Sequence, residues 1–445
     1  MQTALAPQYQ GTPDGEAAQA ILGKCVHCGF CNATCPTYLL LGDELDGPRG
    51  RIYLMKQVLE GAAPTRATQL HLDRCLTCRN CETTCPSGVQ YGALVEIGRK
   101  LVDAQVERPV AERAVRWLLK DGLTSPLFKP AMALGQLVRP LLPGVLQDKV
   151  PAAAHPRAKV WPQRTHARKV LMLAGCVQPA MMPNINSATA RVLDAAGIQT
   201  LVADKAGCCG ALRTHLSDID GGLADMRRNI DAWWPLVSAG AVEAIVMNAS
   251  GCGVQVKDYG HALAQDPAYA DKAQRISQLT RDLSELLPDI VAALKPLLAA
   301  PADAGGPAGQ QRAAAAQSAA SPSAVGRLAF HPPCTLQHGQ QLRGGVEAGL
   351  RALGFDVAVA MNESHLCCGS AGTYSVLQPE LSHQLRDRKL MNLAELQPTA
   401  IVSANIGCIG HLQSGTSLPV KHWVEALDDV LHGALNTSRA AVQPL

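Results

Sequence analysis

The chain has 445 residues, 47 % of them hydrophobic and 17 % charged, with a formal net charge of +3 at pH 7. That length predicts two or three domains, and so small a charge argues against a nucleic-acid partner. No run of eighteen or more apolar residues occurs, so no transmembrane helix is predicted. The N-terminus, MQTALAPQYQGTPDGEAAQ, has no basic start, apolar h-region or cleavage signature. An intracellular chain with reduced thiols is expected.

In chain order, residues 1–15 read as frayed. Residues 16–106 carry eight of the sixteen cysteines, in two runs. Cys25, Cys28, Cys31 and Cys35 precede Pro36; Cys75, Cys78, Cys81 and Cys85 precede Pro86. Each run reads C-x2-C-x2-C-x3-C-P, the ligand pattern of proteins that hold two [4Fe–4S] clusters. Three cysteines at i, i+3 and i+6 wrap one face of a cube, with backbone N–H groups turned toward the sulfurs. The fourth stands before proline, which pushes it out of the helical region and bends the chain. In two-cluster ferredoxins that fourth thiolate serves the other cluster. The expected sets are therefore Cys25, Cys28, Cys31 and Cys85 for one cluster, and Cys35, Cys75, Cys78 and Cys81 for the other. A structural zinc site has no use for the repeated third and fourth cysteines. Between the runs, Gly47-Pro48-Arg49-Gly50-Arg51 leads into Ile52, Tyr53, Met55, Val58 and Leu59 in a helical pattern. This first domain is expected to be α-helical and ferredoxin-like, with its ligands on loops between helices.

Residues 107–168 read as helical pieces broken by prolines. Leu127–Leu146, interrupted by Pro130, Pro140 and Pro143, has two readings: a membrane-facing piece, or a short helix packed on a neighbouring domain or subunit. Beyond 168, strands alternate with helices, which implies a parallel α/β sheet. The apolar run 169–176 ends at Cys176, 198–210 at Cys208-Cys209-Gly210, and 244–252 at Cys252. The order then returns: 327–334 ends at Cys334, 355–369 at Cys367-Cys368-Gly369, and 400–408 at Cys408. Equivalent cysteines are 158, 159, 159 and 156 residues apart, an internal duplication. The repeats span 169–300 and 327–435. The Ala/Gly/Pro/Ser-rich stretch 301–326 reads as a disordered linker. Open α/β sheets bind ligands outside the carboxyl ends of their strands, so the four cysteines of each repeat are expected to converge. A further cluster, redox thiols and plain core packing remain open for them.

Two such runs followed by two CCG repeats resemble a family that includes heterodisulfide reductase subunits, the anaerobic glycerol-3-phosphate dehydrogenase iron–sulfur subunit and bacterial glycolate oxidase iron–sulfur subunits. CVHCGFCNATCPTYLLLGDELDGPRGRIYLMKQVLEG (25–61), HLDRCLTCRNCETTCPSGV (71–89), NASGCG (248–253), LCCGSAGTY (366–374) and ANIGC (404–408) are most similar to the last. The resemblance covers about residues 20 to 430 and implies two [4Fe–4S] clusters on the eight cysteines of the first domain. In heterodisulfide reductase-type subunits a CCG repeat holds its cluster through a fifth cysteine, from a terminal C-x-x-C. The corresponding positions here are Gln255 and His411. His411 reads either as a substitute ligand or as a hydrogen-bonding residue on a helix face.

No G-x-G-x-x-G follows a strand and no general base stands beside such a site, so no catalytic residue is assigned and the chain is not expected to oxidise a substrate itself. The resemblance implies a relay. FAD on a partner subunit takes a hydride from glycolate, giving glyoxylate, and this chain passes single electrons toward a quinone-type acceptor. Such a chain is expected in the cytoplasm, peripheral on the cytoplasmic face of the inner membrane. The alternatives are the equivalent subunit of a glycerol-3-phosphate or lactate dehydrogenase, and a thiol–disulfide reductase acting at Cys208-Cys209 or Cys367-Cys368. Lys24, Arg49, Arg51, Arg74 and Arg79 flank the runs, either as charges that favour a reduced cluster or as solvated surface groups. Of these, Arg74 and Arg79 are expected to raise a cluster potential.

Overall fold

A computed structural model describes residues 1–141, 150–151, 156–299 and 321–442. Residues 142–146 of the apolar stretch and 301–320 of the alanine-rich linker lie outside the described residues.

The first part is helical. Helices Pro13–Lys24, Pro48–Leu59, Arg66–Asp73 and Tyr91–Asp103 close around a core of Ala18, Leu22, Ile52, Met55, Leu59, Leu72, Leu94 and Val95. Prolines 13 and 48 start two of these helices, where a missing N–H costs nothing and φ is already set. The N-terminus is not frayed. Ala6 and Tyr9 are buried, and the Met1 ammonium donates to Leu22 O at 2.8 Å. Short sequence range and turn residues suggested a loose end there; tertiary packing overrides them. The third cysteine of each run also departs from expectation. Cys31 lies in the 3-10 turn Phe30–Thr34 and Cys81 in the short helix Asn80–Thr84, rather than in loops.

Two parallel four-stranded sheets follow. Strands β1 Arg168–Met172, β2 Ile198–Leu201, β3 Ala244–Met247 and β4 Thr280–Asp282 have the order β2-β1-β3-β4. Strands β5 Leu328–His331, β6 Val357–Ala358, β7 Ala400–Ser403 and β8 Val420–His422 repeat it as β6-β5-β7-β8. The order reverses between β1 and β3, and again between β5 and β7, so each sheet has its crevice there. The sequence pattern indicates three strands per repeat. The fourth, TRD or VKH, is too short and polar to register as an apolar run. Residues 322–325, within the expected linker, form a 3-10 turn with Pro322 buried.

The two repeats share one core, in which Val170, Ile185, Val192 and Leu193 of the first pack with Phe330, Leu350, Trp423 and Leu427 of the second. Ser250 N donates to Ala404 O at 3.1 Å across this junction. No helix among the described residues is long and apolar enough to cross a membrane.

The turn Glu44–Asp46 lies against the start of helix Pro48–Leu59, and a Cβ on Gly50 would come 2.1 Å from Glu44 O. Gly50→Ala is therefore expected to destabilise the protein by about 1–3 kcal/mol. Gly23→Ala, on an open helix face with no atom within 4 Å of the added carbon, should gain about 0.5 kcal/mol. Thermal unfolding of anaerobically purified protein reads both, and equal midpoints would remove the close-approach explanation.

Candidate metal centres

The two runs fold as mirror phrases. His27 and Gly29 in the first, and Thr77 and Arg79 in the second, take positive φ of 59°, 86°, 53° and 60°. Such alternation makes a concave nest of backbone N–H groups, and Thr77 N points to Cys75 Sγ at 3.4 Å. Cys35 and Cys85 both precede proline and are extended, with ψ of 118° and 117°, as steric clash with the proline ring requires. The runs meet at Thr34 and Thr84, whose hydroxyls are 3.1 Å apart.

This pairing sorts the thiols. Burial and the neighbouring thiols Cys25, Cys85 and Cys28 push the Cys31 thiol up to about 11. Burial and Cys78, Cys75 and Cys35 push Cys81 well above its ordinary value. Cys85 thus stands beside Cys31 of the first run, and Cys35 beside Cys78 and Cys81 of the second. Buried thiols that oppose one another's ionisation are a poor arrangement for free side chains, and a suitable one for a metal that takes thiolates. The two sets differ in exposure. Cys28 is exposed, flanked by exposed Val26 and Phe30, whereas Cys35, Cys75 and Cys81 are buried.

Arg51 is the cation beside the second set. It is fully buried, with Nη1 4.0 Å from Cys35 Sγ and 3.1 Å from Thr37 Oγ1. Its charge lowers the Cys35 thiol against the larger opposing effect of burial. Asp46, equally buried, balances it at 3.4 Å and also takes Arg74 at 2.8 Å and His71 at 3.1 Å. Arg74 is thus spent on Asp46 and Arg79 on Glu82, at 2.8 Å. Of the flanking arginines, Arg51 makes a hydrogen-bond contact to a cluster-run sulfur, while Arg49 acts on Cys31 through its charge.

In the first repeat Cys176, Cys208, Cys209 and Cys252 form a chain of thiol contacts in that order. Cys334, Cys367, Cys368 and Cys408 form the same chain in the second. The convergence follows from the sheets: Cys176 and Cys252 leave β1 and β3 on either side of the crevice, as Cys334 and Cys408 leave β5 and β7. The glycine after each pair has a steric reason. Gly210 and Gly369 have φ of 94° and 90°, and a Cβ at Gly369 would come 2.4 Å from Ser382 O.

The second repeat rests on the second run. Cys334 touches Cys78, thiol to thiol, and Leu76 packs with Cys334, Cys367, Tyr374 and Leu385. Asn80 Nδ2 donates to His365 O at 3.3 Å, and Thr83 Oγ1 lies 3.0 Å from His338 Nδ1. Both repeats open on a cavity of about 2320 Å³ with Cys78, Cys176, Cys252, Cys334 and Cys408 on its wall. His411 Nε2 lies 3.1 Å from both Ser382 Oγ and Ser382 O. Lys389, buried and donating to Glu363 O at 2.5 Å, faces Cys334, Cys367 and Cys368. Neither Lys389 nor the Cys78–Cys334 contact is legible in spacing, because both arise from packing between distant segments.

A helical dicluster unit carrying a duplicated cysteine-rich α/β fold defines an iron–sulfur protein of the two-repeat type. Residues 21–89 match the 4Fe-4S dicluster domain family, and residues 170–257 and 328–413 match the cysteine-rich domain family. The chain is 50 % identical over 434 residues, 97 % of its length and 99 % of the relative's, to the glycolate oxidase iron-sulfur subunit of Escherichia coli (strain K12). It is 28 % identical to the probable glycolate oxidase iron-sulfur subunit of Bacillus subtilis (strain 168), over 88 % of each chain. Lactate utilization protein A of Geobacillus thermodenitrificans (strain NG80-2) is 23 % identical over 58 % of this chain and 98 % of that one. The chain belongs to the glycolate oxidase iron–sulfur subunit family, and its dicluster domain is of the kind that carries two [4Fe–4S] clusters.

A cation near a cluster favours the reduced, more negative state. Arg51→Met is expected to lower the midpoint potential of one cluster, with Arg51→Lys in between and Arg79→Ala without effect. Redox-titrated EPR reads this; an Arg51→Met protein with both midpoints unmoved would refute it.

Proposed function

We propose that this chain is the electron-transfer subunit of a glycolate oxidase-type complex. Flavin-bearing partners oxidise glycolate to glyoxylate, and the electrons leave through this chain toward a quinone-type acceptor. The clusters supply one-electron chemistry, which suits splitting a flavin's electron pair. Cys25, Cys28, Cys31 and Cys85 hold one cluster; Cys35, Cys75, Cys78 and Cys81 hold the other. The observation that carries this reading is the polarity of the two thiol sets. One reaches the surface at exposed Cys28, while the other has three buried cysteines and touches the second repeat where half-buried Cys78 meets Cys334. Such a pair has a surface end and an inner end, as a relay needs.

The surface end has a docking face to match. Val26, Phe30, Leu39, Leu41 and Tyr53 are exposed around the first run, where the flavin partner would bring its electrons close. A second apolar face lies on helices Val110–Trp117 and Phe128–Leu137, which bury no residue; Trp117, Leu134 and Leu137 on them and the flanking Leu118 and Leu127 are exposed. With Lys129 and Arg139 beside it, this face suits an anionic lipid surface. It supports a peripheral position on the cytoplasmic face of the inner membrane.

Three experiments test these readings. In the complex with its flavin subunits, glycolate should reduce both cluster signals in EPR and support reduction of a soluble quinone. Cys31→Ser and Cys35→Ser should each remove a different cluster signal, and loss of the same signal in both would break the crossed ligand sets. For the membrane face, Leu134→Glu with Leu137→Glu should abolish flotation with vesicles containing anionic lipid while sparing the clusters; undiminished flotation assigns attachment elsewhere.

A further inference from the structure

The second repeat holds a side chain for which its protein surroundings offer no partner. His331 ends β5, three residues before Cys334. It is 0 % exposed, and among the described residues neither of its ring nitrogens has a hydrogen-bond partner. Burying an imidazole with both nitrogens unpaired is unfavourable, and an orphan of this kind in a folded protein calls for a reason such as a bound ion. The reason lies beside it. A ring nitrogen of His331, Cys368 Sγ and Cys408 Sγ all stand within 4.8 Å of one another. Cys367 continues the thiol chain from Cys368, and Cys334 continues it from Cys367.

The first repeat supplies the internal comparison. The residue three before Cys176 is Leu173, also buried. The same strand end in the same fold thus takes an aliphatic side chain in one copy and an imidazole in the other. Packing alone is served by leucine. The histidine adds only a pair of nitrogen atoms, and one of them is placed against sulfur.

We propose that the second repeat binds an iron centre through Cys334, Cys367, Cys368 and Cys408, with His331 as a nitrogen ligand, and that the first repeat has no such nitrogen. Thiolate and imidazole together suit iron, whether one ion or a cluster. His331 occupies the place of an additional ligand, a role its own position in the chain does not announce because it comes from the strand before the cysteines. A neutral imidazole brings less negative charge than a thiolate, so the centre would accept an electron more readily than an all-thiolate one, as in iron–sulfur sites where histidine replaces cysteine. Contact with Cys78 puts it next to the second cluster set. That placement rests on the relay reading; the metal itself does not, and the test reads the metal.

The experiment uses full-length protein purified anaerobically. Iron should exceed the roughly eight atoms of two four-iron clusters, and hyperfine spectroscopy of the reduced protein should show nitrogen coupling that shifts on 15N-histidine labelling. His331→Leu, which installs the first repeat's residue, should lose that coupling and keep both dicluster signals. His331→Cys should keep the extra iron, lose the coupling and lower the midpoint of the extra centre. His411→Leu should keep the coupling. Nitrogen coupling that persists in His331→Leu, zinc in place of the extra iron, or about eight iron atoms in the wild type would each overturn the proposal. None of these outcomes depends on which substrate the flavin partner oxidises.

Discussion

Buried thiols govern this molecule. A thiolate taken from water into a protein interior is heavily penalised unless something positive receives it, and the chain buries most of its sixteen. The local structure around the dicluster runs follows from that demand. Alternating left-handed residues turn N–H groups inward, prolines throw the fourth cysteine across, and Arg51 is drawn into the core within 4.0 Å of Cys35. Once Arg51 is buried, it needs Asp46; Asp46 in turn engages Arg74 and His71. The turn Glu44–Asp46 and the glycine contact that seats it on the next helix are consequences further out. A segment that reads as a helix start is, in the folded protein, the charge-compensating wall of a metal site.

Duplication made two repeats, and packing made them unequal. Both have the same strand order and the same chain of four thiols. The second also has Cys78 against Cys334, Lys389 facing three of its sulfurs, and His331 behind them. The two share a continuous hydrophobic core, so neither can move relative to the other without exposing apolar surface. One repeat meets the dicluster unit by sulfur contact; the other meets it through His215 and Glu96, 3.7 Å apart, with its thiols on the wall of the cavity.

Much of the architecture was legible in the chain. Period-3 cysteines before proline, strand–cysteine–helix units and their 158-residue offset are local or repetitive signals, and sequence carries those well. The unread parts were non-local. β4 and β8 are three residues each and gain their place only by pairing with β3 and β7. The N-terminus has no pattern of its own and is ordered by contact with Leu22 and the helices behind it. Arg74 and Arg79 stand nearest the cysteines in sequence, yet Arg51, sixteen positions from Cys35, reaches the sulfur. His411 has the spacing of a replaced ligand, while His331, without that spacing, brings a ring nitrogen within 4.8 Å of Cys368 and Cys408 Sγ.

That last contrast explains what kind of signal a ligand leaves. A spacing motif is visible when successive ligands sit on one short loop, as in each dicluster run. In the α/β repeats the four thiols and His331 come from the ends of separate strands, so their separation is set by helix length and says little about which residue points inward. What identifies the inward position is register: β5 places His331 opposite Ser403 at the end of β7, on the crevice side from which Cys334 and Cys408 also depart. A residue at a strand end beside the crevice is within reach of the site whatever its distance along the chain. Of the residues at that position in the two repeats, leucine and histidine, only the histidine has an electron pair to offer a metal.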